Sequence, residues 1–163
     1  KGVIHRDVKP ENVFITERKN QPRGVKVLDF GVSKVMAGGG AGDWDDKSAL
    51  TKTGVVMGTP YYVSPEQARA RRDIDARTDV YSCGVVLYEA LTGEIPFDAH
   101  HFNALLLRII QGNPKPPREI VDSIPKELED IILKALSLDR EARFGTAREM
   151  ARALQPFSTA TAT

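Results

Sequence analysis

The sequence predicts a mainly α-helical fold that carries one small β hairpin close to its amino end. Three observations predict it. Two short apolar runs rich in β-branched residues lie within residues 13–28, and apolar residues recur at three- and four-residue spacing after residue 64. No internal repeat with a period of about 20 to 50 residues is visible, which excludes solenoids and propellers. The 163 residues are enough for one domain with a buried core.

The β hairpin is predicted from residues 13–15 and 25–28, which are mostly apolar and rich in valine and isoleucine. Residues 17–24 between them are polar and contain a Pro-Arg-Gly turn, so we expect two paired strands joined by a long loop. Residues 36–53 then lose all hydrophobic periodicity and include a glycine-rich stretch, which predicts a mobile loop.

The central helix is predicted over residues 79–91. Its apolar residues cover most of its surface, which favours a buried helix over a surface helix. Thr92 and Gly93 end it, because glycine adopts the left-handed conformation that closes many helices. Before it, Ser64 and Pro65 are the N-cap and first-turn residues typical of a short helix.

Three further helices are predicted toward the carboxyl end, over residues 103–111, 125–138 and 146–154. A glycine and several prolines follow the first of them, and the other two carry apolar residues along one face. Residues 158–163 alternate threonine and alanine after a serine, which predicts a disordered tail.

The composition excludes several classes of function. With 23 basic and 22 acidic residues the net charge is +1, so no overall field attracts nucleic acid or an anionic membrane. Cys83 is the single cysteine, which excludes an intrachain disulfide and a cysteine-based zinc site and fits a reducing, cytoplasmic setting. No apolar run approaches the roughly 20 residues that span a bilayer, so no membrane segment is predicted.

Three motifs that carry chemistry follow one another along the chain. The first is HRDVKPEN at residues 5–12, directly before the first predicted strand, and the second is DFG at residues 29–31, directly after the second strand. The third is GTPYYVSPE at residues 58–66, upstream of the central helix. Alone, each of the first two motifs indicates a loop or a turn more often than an active site. Their order, their spacing and the hairpin between them make the set specific.

The spacing of the first two motifs suits phosphoryl transfer. That reaction needs a group that orients the attacking hydroxyl and accepts its proton, and it needs cations that balance the charge on the phosphate oxygens. A hairpin returns its far end beside its start, so we expect Asn12 and Asp29 to face one cleft and to offer oxygen ligands to Mg²⁺. Asp7 lies on the same loop, where Lys9 can contact the transferred phosphate as a point charge.

From its first residue to about residue 154 the chain resembles the C-terminal lobe of protein kinases, most closely the eukaryotic-like serine/threonine kinases of bacteria. The three motifs and the run DVYSCGVVLYE at residues 79–89 carry the resemblance. It implies a helical bundle with the hairpin at its catalytic edge over residues 1–157, with a disordered tail at residues 158–163. It also implies an activation loop over residues 29–66, and the N-terminal lobe that covers ATP is absent.

The resemblance implies the roles of the site residues as well. Asp7 would be the catalytic base and Lys9 a contact to phosphate. Asn12 and Asp29 would be the Mg²⁺ ligands, and Phe14 would pack beneath the adenine ring of ATP.

Further residues would support that site. Thr59 would steady the catalytic loop and the acceptor hydroxyl, and Asp79 would hold the backbone of the HRD loop from below. Glu66 would form a buried ion pair with Arg143 that joins the third motif to the last helices. Removing one partner of such a pair typically costs about 3–5 kcal/mol.

The implied activity is that of a serine/threonine protein kinase in bacterial signal transduction, which uses ATP and Mg²⁺ and acts on protein substrates. Lys9 and Thr59 resemble the serine/threonine class rather than the tyrosine class. The missing N-terminal lobe would be the partner of this chain, and we expect negligible turnover without it because half of the nucleotide site is open to water. Thr51 and Thr53 are candidates for autophosphorylation beside the glycine-rich stretch.

Two other interpretations stay open. The chain is a non-catalytic docking module that binds partners through Tyr61, Tyr62 and the helices after them, or it is a truncated product that folds poorly because its lobe interface exposes apolar surface. Intact Asp7, Asn12 and Asp29 favour the enzyme over the docking module.

Several other residues do not indicate a site. His100 and His101 are adjacent, so their side chains point in different directions, and they indicate a solvated turn rather than a metal pair. Cys83 lies on the predicted buried helix and indicates a small core residue rather than a redox sensor. The aspartates beside Trp44 lack the spacing and the closing glutamate of a calcium loop.

Overall fold

The computed structural model describes residues 3–17, 24–29 and 60–158 of the chain. The predicted mobile loop, most of the predicted tail and the threonines at positions 51, 53 and 59 lie outside these described residues. The same holds for part of the loop that joins the two predicted strands.

The predicted hairpin is confirmed. Strand β1, Val13–Thr16, pairs antiparallel with strand β2, Gly24–Val27. A short 3-10 turn, Pro10–Asn12, leads from the HRD loop into β1. Strand β2 ends one residue before its predicted end at Leu28, whose N–H donates to the Asn12 carbonyl at 2.9 Å and so ties the end of the hairpin to its beginning.

Helices follow within residues 60–158. The α-helices are α1, Pro65–Ala68; α2, Arg77–Thr92; α3, Phe102–Gln111; α4, Lys126–Ala135; and α5, Ala147–Leu154. The predicted helices are confirmed in position, with most of their ends shifted by one to three residues. Short 3-10 turns accompany the later helices at Pro117–Glu119, Arg140–Ala142 and Gln155–Phe157. No helix among the described residues is long and apolar enough to cross a bilayer.

Helix α4 ends before its predicted boundary at residue 138, and Arg143 binds carbonyl groups of the segment that follows it. The guanidinium donates from Nε to the Ser137 carbonyl at 2.8 Å, and Nη2 lies 3.5 Å from the Leu138 carbonyl. Both carbonyl groups lie beyond the last helical residue, Ala135, and the guanidinium is their hydrogen-bond donor. A tertiary contact of this kind leaves no mark in the helical pattern of the segment itself.

Helix α2 forms the centre of the fold, as predicted. Val80, Tyr81 and Val85 on this helix are fully buried, and they pack against α3, α4 and α5 in two apolar clusters. Gly84 allows α2 to approach α4 closely, since a Cβ at this position would lie 2.9 Å from the Cβ of Ala135. Helix α2 is therefore a firmly packed base for the side chains that it directs toward residues 5–12.

Cys83 also lies on α2 and packs against the apolar cluster next to α5. Burial, followed by the charge of Asp79, raises the pKa of its thiol to about 11, so the thiol stays protonated near neutral pH. This environment agrees with the predicted role as a small core residue.

Candidate active site

Asp79 on α2 holds the candidate catalytic loop, residues 5–12, from below. Its two carboxylate oxygens accept hydrogen bonds from the His5 N–H and the Arg6 N–H, each at 2.8 Å. The predicted contact between Asp79 and this loop is confirmed. Arg6 has a φ of 64°, in the left-handed region that costs a non-glycine residue about 1–2 kcal/mol. The two charge-assisted hydrogen bonds offset that strain.

His5 joins the same loop to the end of β2. Its ring is buried; Nδ1 accepts from the Asp7 N–H at 3.3 Å, and Nε2 lies 3.1 Å from the Leu28 carbonyl oxygen. Since Nδ1 accepts, the ring hydrogen belongs on Nε2, which can then donate to Leu28. The chain therefore leaves β2 for Asp29 directly beside the loop that carries Asp7.

Asp7, Lys9 and Asn12 lie in direct contact. The Asn12 amide nitrogen donates to the Asp7 carbonyl at 2.8 Å and to the carboxylate atom Oδ2 at 3.2 Å, and Lys9 Nζ lies 3.3 Å from the same Oδ2. The side chains of Asp7 and Lys9 keep 21% and 31% of their surface exposed, so both can reach a reactant. Because the nitrogen of Asn12 faces Asp7, its amide oxygen is the atom able to act as a ligand.

Asp29 and Phe14 are the other predicted site residues that the structure describes. Asp29 is exposed and has a φ of 55°, and it follows Leu28, whose N–H binds the Asn12 carbonyl. Phe14 lies on β1 with 49% of its surface exposed. The remaining predicted site residue, Thr59, lies outside the described residues.

A buried ion pair joins α1 to the segment before α5. Arg143 donates from Nη1 and Nη2 to the two carboxylate oxygens of Glu66, both at 2.8 Å, and the predicted pair is thereby confirmed. Burial alone raises the pKa of Glu66, but the hydrogen bonds and the charge of Arg143 outweigh it, so the pKa lies below its usual value. The carboxylate stays ionised inside the fold.

The sequence patterns did not predict the role of Gln67. Its side chain accepts from the Ser64 N–H at 3.1 Å and donates to the Arg6 carbonyl at 3.0 Å, which joins α1 to the candidate catalytic loop. The serine and glutamine of SPEQ at residues 64–67 have the spacing of a capping box, and the structure contains that capping box. This signal indicates the cap but not the contact with Arg6.

An open cleft beside the candidate catalytic loop was not predicted either. Its volume is about 420 Å³, and its lining is Glu11, Tyr61, Tyr62, Glu89, Gly93 and Ile95. The Tyr62 hydroxyl donates to Glu89 Oε2 at 2.7 Å. Burial and this hydrogen bond raise the pKa of Tyr62 well above its usual value, so the hydroxyl keeps its hydrogen.

The same residues occur within a recognisable sequence family. The family model described as protein kinase domain matches residues 1–155. The chain is 42% identical to the tyrosine-protein kinase MasK of Myxococcus xanthus, over 96% of the chain and 22% of that protein. It is also 42% identical to the serine/threonine-protein kinase pkn3 of Myxococcus xanthus, over 94% of the chain and 27% of that protein.

A third relative is the serine/threonine-protein kinase PknB of Mycolicibacterium smegmatis, which is 42% identical over 91% of the chain and 22% of that protein. The chain thus spans about a fifth to a quarter of the length of these relatives. The matched range contains every residue of the candidate site described above.

Proposed function

The chain belongs to the protein kinase family, and we propose on this basis that it forms the C-terminal lobe of a serine/threonine protein kinase. The whole enzyme transfers the γ-phosphate of ATP to serine or threonine hydroxyl groups of protein substrates. One observation carries the proposal: Lys9 and Asn12 both contact the carboxylate of Asp7, on a loop whose backbone is bound to α2 through Asp79.

Asp7 is the catalytic base in this proposal. Its partly exposed carboxylate accepts the proton of the acceptor hydroxyl while the hydroxyl oxygen bonds to the γ-phosphorus and ADP leaves. Lys9, next to the same carboxylate, supplies positive charge where negative charge grows on the transferred phosphoryl group. Asn12 fixes the orientation of the Asp7 carboxylate through its amide nitrogen.

Asn12 and Asp29 hold Mg²⁺ in this proposal. An amide oxygen and a carboxylate are hard oxygen ligands, and Mg²⁺ is commonly bound by one or two protein groups, with phosphate and water completing its shell. Among the described residues, no group of three or more His, Cys, Asp or Glu side chains could hold a metal ion, so a cage made wholly of such side chains is not available there. The ion, when bound, neutralises charge on the phosphate oxygens.

The hairpin carries the adenine contact in this proposal, through Phe14. Its neighbours Ile15 and Val25 expose 69% and 66% of their surface, which suits a surface that the N-terminal lobe covers. We assign the lobe to residues 1–157, with the activation loop at residues 29–66, and propose a cytoplasmic location. Negligible turnover is expected from the 163-residue chain alone.

The acceptor class rests on Lys9 and Thr59, whose residue types resemble serine/threonine kinases. One relative with the same identity is named a tyrosine-protein kinase, so acceptor chemistry needs its own measurement. Phosphoamino acid analysis of labelled product is expected to yield phosphoserine and phosphothreonine. Phosphotyrosine alone would contradict the proposed acceptor class and leave phosphoryl transfer intact.

The experiment that tests the proposed reaction uses the complete kinase domain, in which this chain is joined to its N-terminal lobe. Transfer of labelled γ-phosphate to a mixture of protein substrates is measured for the wild type and for Asp7→Asn. We expect transfer by the wild type and a loss of at least about a hundredfold in the variant, the lower end of the range typical of general-base catalysis. Equal rates for the two proteins would refute the assignment of Asp7.

Thermal unfolding with and without Mg-ATP separates the enzyme from a docking module. A lobe that retains its nucleotide site gains stability from the ligand, because a ligand that binds only the folded state raises the midpoint of unfolding. A docking module shows no shift, and a poorly folded product shows no cooperative transition.

A further inference from the structure

We propose that Gln67 is a positioning residue that fixes the peptide group directly before the catalytic base Asp7. The inference rests on the proposed kinase function because that function makes Asp7 the catalytic base. The contact itself rests only on the geometry of α1 and the catalytic loop.

The side-chain amide of Gln67 uses both its ends, and its orientation is determined by its partners. Oε1 accepts from the Ser64 N–H at 3.1 Å and from the Thr78 hydroxyl at 3.0 Å, while Nε2 donates to the Arg6 carbonyl at 3.0 Å. A backbone N–H can only donate and a carbonyl can only accept, so the reverse orientation of the amide is excluded.

Side-chain hydrogen bonds hold the backbone directly before Asp7, and the bond from Gln67 is one of them. We call this set of bonds the clamp. The carbonyl that it binds belongs to the Arg6–Asp7 peptide group, whose N–H donates to His5 Nδ1 at 3.3 Å. The preceding N–H, that of Arg6, is bound by Asp79 at 2.8 Å. Two successive peptide groups, with the left-handed Arg6 between them, are thus held by side chains from α1, α2 and the loop itself.

The anchor of Gln67 is buried, which suits a positioning residue. Ser64 and Thr78 are fully buried, and their hydroxyl oxygens lie 2.5 Å apart. Ser64 also accepts from the Gln67 N–H at 3.4 Å as the N-cap of α1. Small displacements of a catalytic group cost large factors in rate, so a clamp tied to a buried anchor bears directly on turnover.

The cap of α1 uses the side-chain oxygen of Gln67, whereas the contact with Arg6 uses its side-chain nitrogen. Replacement by glutamate keeps the first atom and removes the second. A glutamate at this position of a capping box accepts from the N-cap N–H as well as glutamine does. It has no hydrogen to donate to the Arg6 carbonyl when ionised, and it then places a negative charge against that carbonyl oxygen. Gln67→Glu therefore keeps the cap of α1 and removes the hydrogen bond from residue 67 to the Arg6 carbonyl.

The test measures phosphoryl transfer by the complete kinase domain carrying Gln67→Glu, beside the wild type and Gln155→Glu. The control makes the same chemical change at an exposed position after α5. We expect kcat to fall about tenfold or more in Gln67→Glu, with KM for ATP and for the protein substrate changed less than about twofold. The control is expected to keep the kcat of the wild type.

The pH profile gives a readout that a merely structural role does not move. A protonated glutamate side chain can again donate a hydrogen bond. The ratio of the Gln67→Glu rate to the wild-type rate is therefore expected to rise as the pH falls from 8 toward about 5, where a glutamate begins to take up a proton. A ratio that stays at one throughout this range overturns the inference and leaves the kinase function standing.

A measurement on the unmutated chain covers the case in which the variant fails to fold. In ¹⁵N NMR spectra, the side-chain amide hydrogens of Gln67 are expected to exchange with water more slowly than those of the exposed Gln155. Equal exchange for the two residues overturns the inference. If the wild-type domain transfers no phosphate at all, the proposed function fails, and this exchange measurement still decides whether the clamp exists.

Discussion

The two sides of the candidate catalytic loop are built in different ways. Beneath it, side chains from α1 and α2 bind its backbone, and Asp79 is partly enclosed among buried neighbours on α2. At its far side, the hairpin β1–β2 presents Phe14, Ile15 and Val25 with 49%, 69% and 66% of their surfaces exposed. One side is organised by polar contacts to a packed core, and the other shows apolar surface to solvent.

The parts of the proposed active site that rest on buried helices are thus separate from the parts that lie on an exposed surface. The groups proposed to position the reacting hydroxyl are held by buried helices, so a change that disturbs their geometry should also lower the stability of the chain. The groups proposed to contact the nucleotide base lie on a surface with little burial and contribute little to that stability. Perturbations beneath the loop should therefore unfold or loosen the chain, whereas perturbations of the hairpin should matter mainly when a second lobe covers it.

The largest effect is expected from breaking the ion pair between Glu66 and Arg143. Replacement of Arg143 by alanine leaves the Glu66 carboxylate buried without its partner, and we expect the free energy of unfolding to fall by about 3–5 kcal/mol. Chemical denaturation of the chain measures this change in the free energy of unfolding. The matched control is Lys126→Ala, which breaks an exposed ion pair with Asp130 on α4 and is expected to change stability far less.

The same ion pair makes the free energy of unfolding depend on pH, and Glu66→Gln removes this contribution. Because folding lowers the pKa of Glu66, the stabilisation is fully present above its unfolded-state pKa of about 4.5 and is lost as the pH falls through the lower folded-state pKa. The wild type should therefore lose more stability than the variant between neutral pH and about pH 3. Parallel stability curves for the two proteins would contradict the proposed contribution of Glu66.

A smaller effect is expected from Asp79→Asn. The variant keeps one acceptor oxygen but turns an amide group toward one of the two loop N–H groups, so we expect a loss of about 2–3 kcal/mol. Hydrogen exchange should show faster exchange at the amides of His5 and Arg6, with the amides of α4 unchanged. Unchanged protection at those two amides would mean that the loop is held by something other than Asp79.

The smallest effects compare the same substitution on the two sides. Val85→Thr places a hydroxyl in the buried core of α2, where it is expected to cost about 1–2 kcal/mol. Val25→Thr makes the same change on the exposed hairpin and is expected to stay within about 0.5 kcal/mol in the 163-residue chain. Equal losses at the two positions would show that the hairpin is buried in solution.

Sequence patterns predicted the hairpin and the helices because each has a local signature: a run rich in β-branched residues, helical periodicity, or a residue such as Ser64 that caps an end. The family resemblance supplied contacts that span the chain, such as the pair Glu66–Arg143. Two features escaped both. Arg143 binds a carbonyl group just after the early end of α4, and the clamp by Gln67 joins positions 61 residues apart. Neither contact changes the local pattern, so only the folded arrangement reveals it.

The most direct test of the metal site proposed for Asn12 and Asp29 is a measurement of where the metal ion binds. In ¹⁵N NMR spectra of the complete kinase domain with ATP, Mn²⁺ replaces Mg²⁺ and broadens the signals of nearby nuclei. We predict that the side-chain amide of Asn12 and the backbone amide of Asp29 broaden first, while the amides of α4 and α5 stay sharp. Sharp signals from Asn12 or Asp29 with ATP and Mn²⁺ bound would contradict a common metal site formed by these two residues.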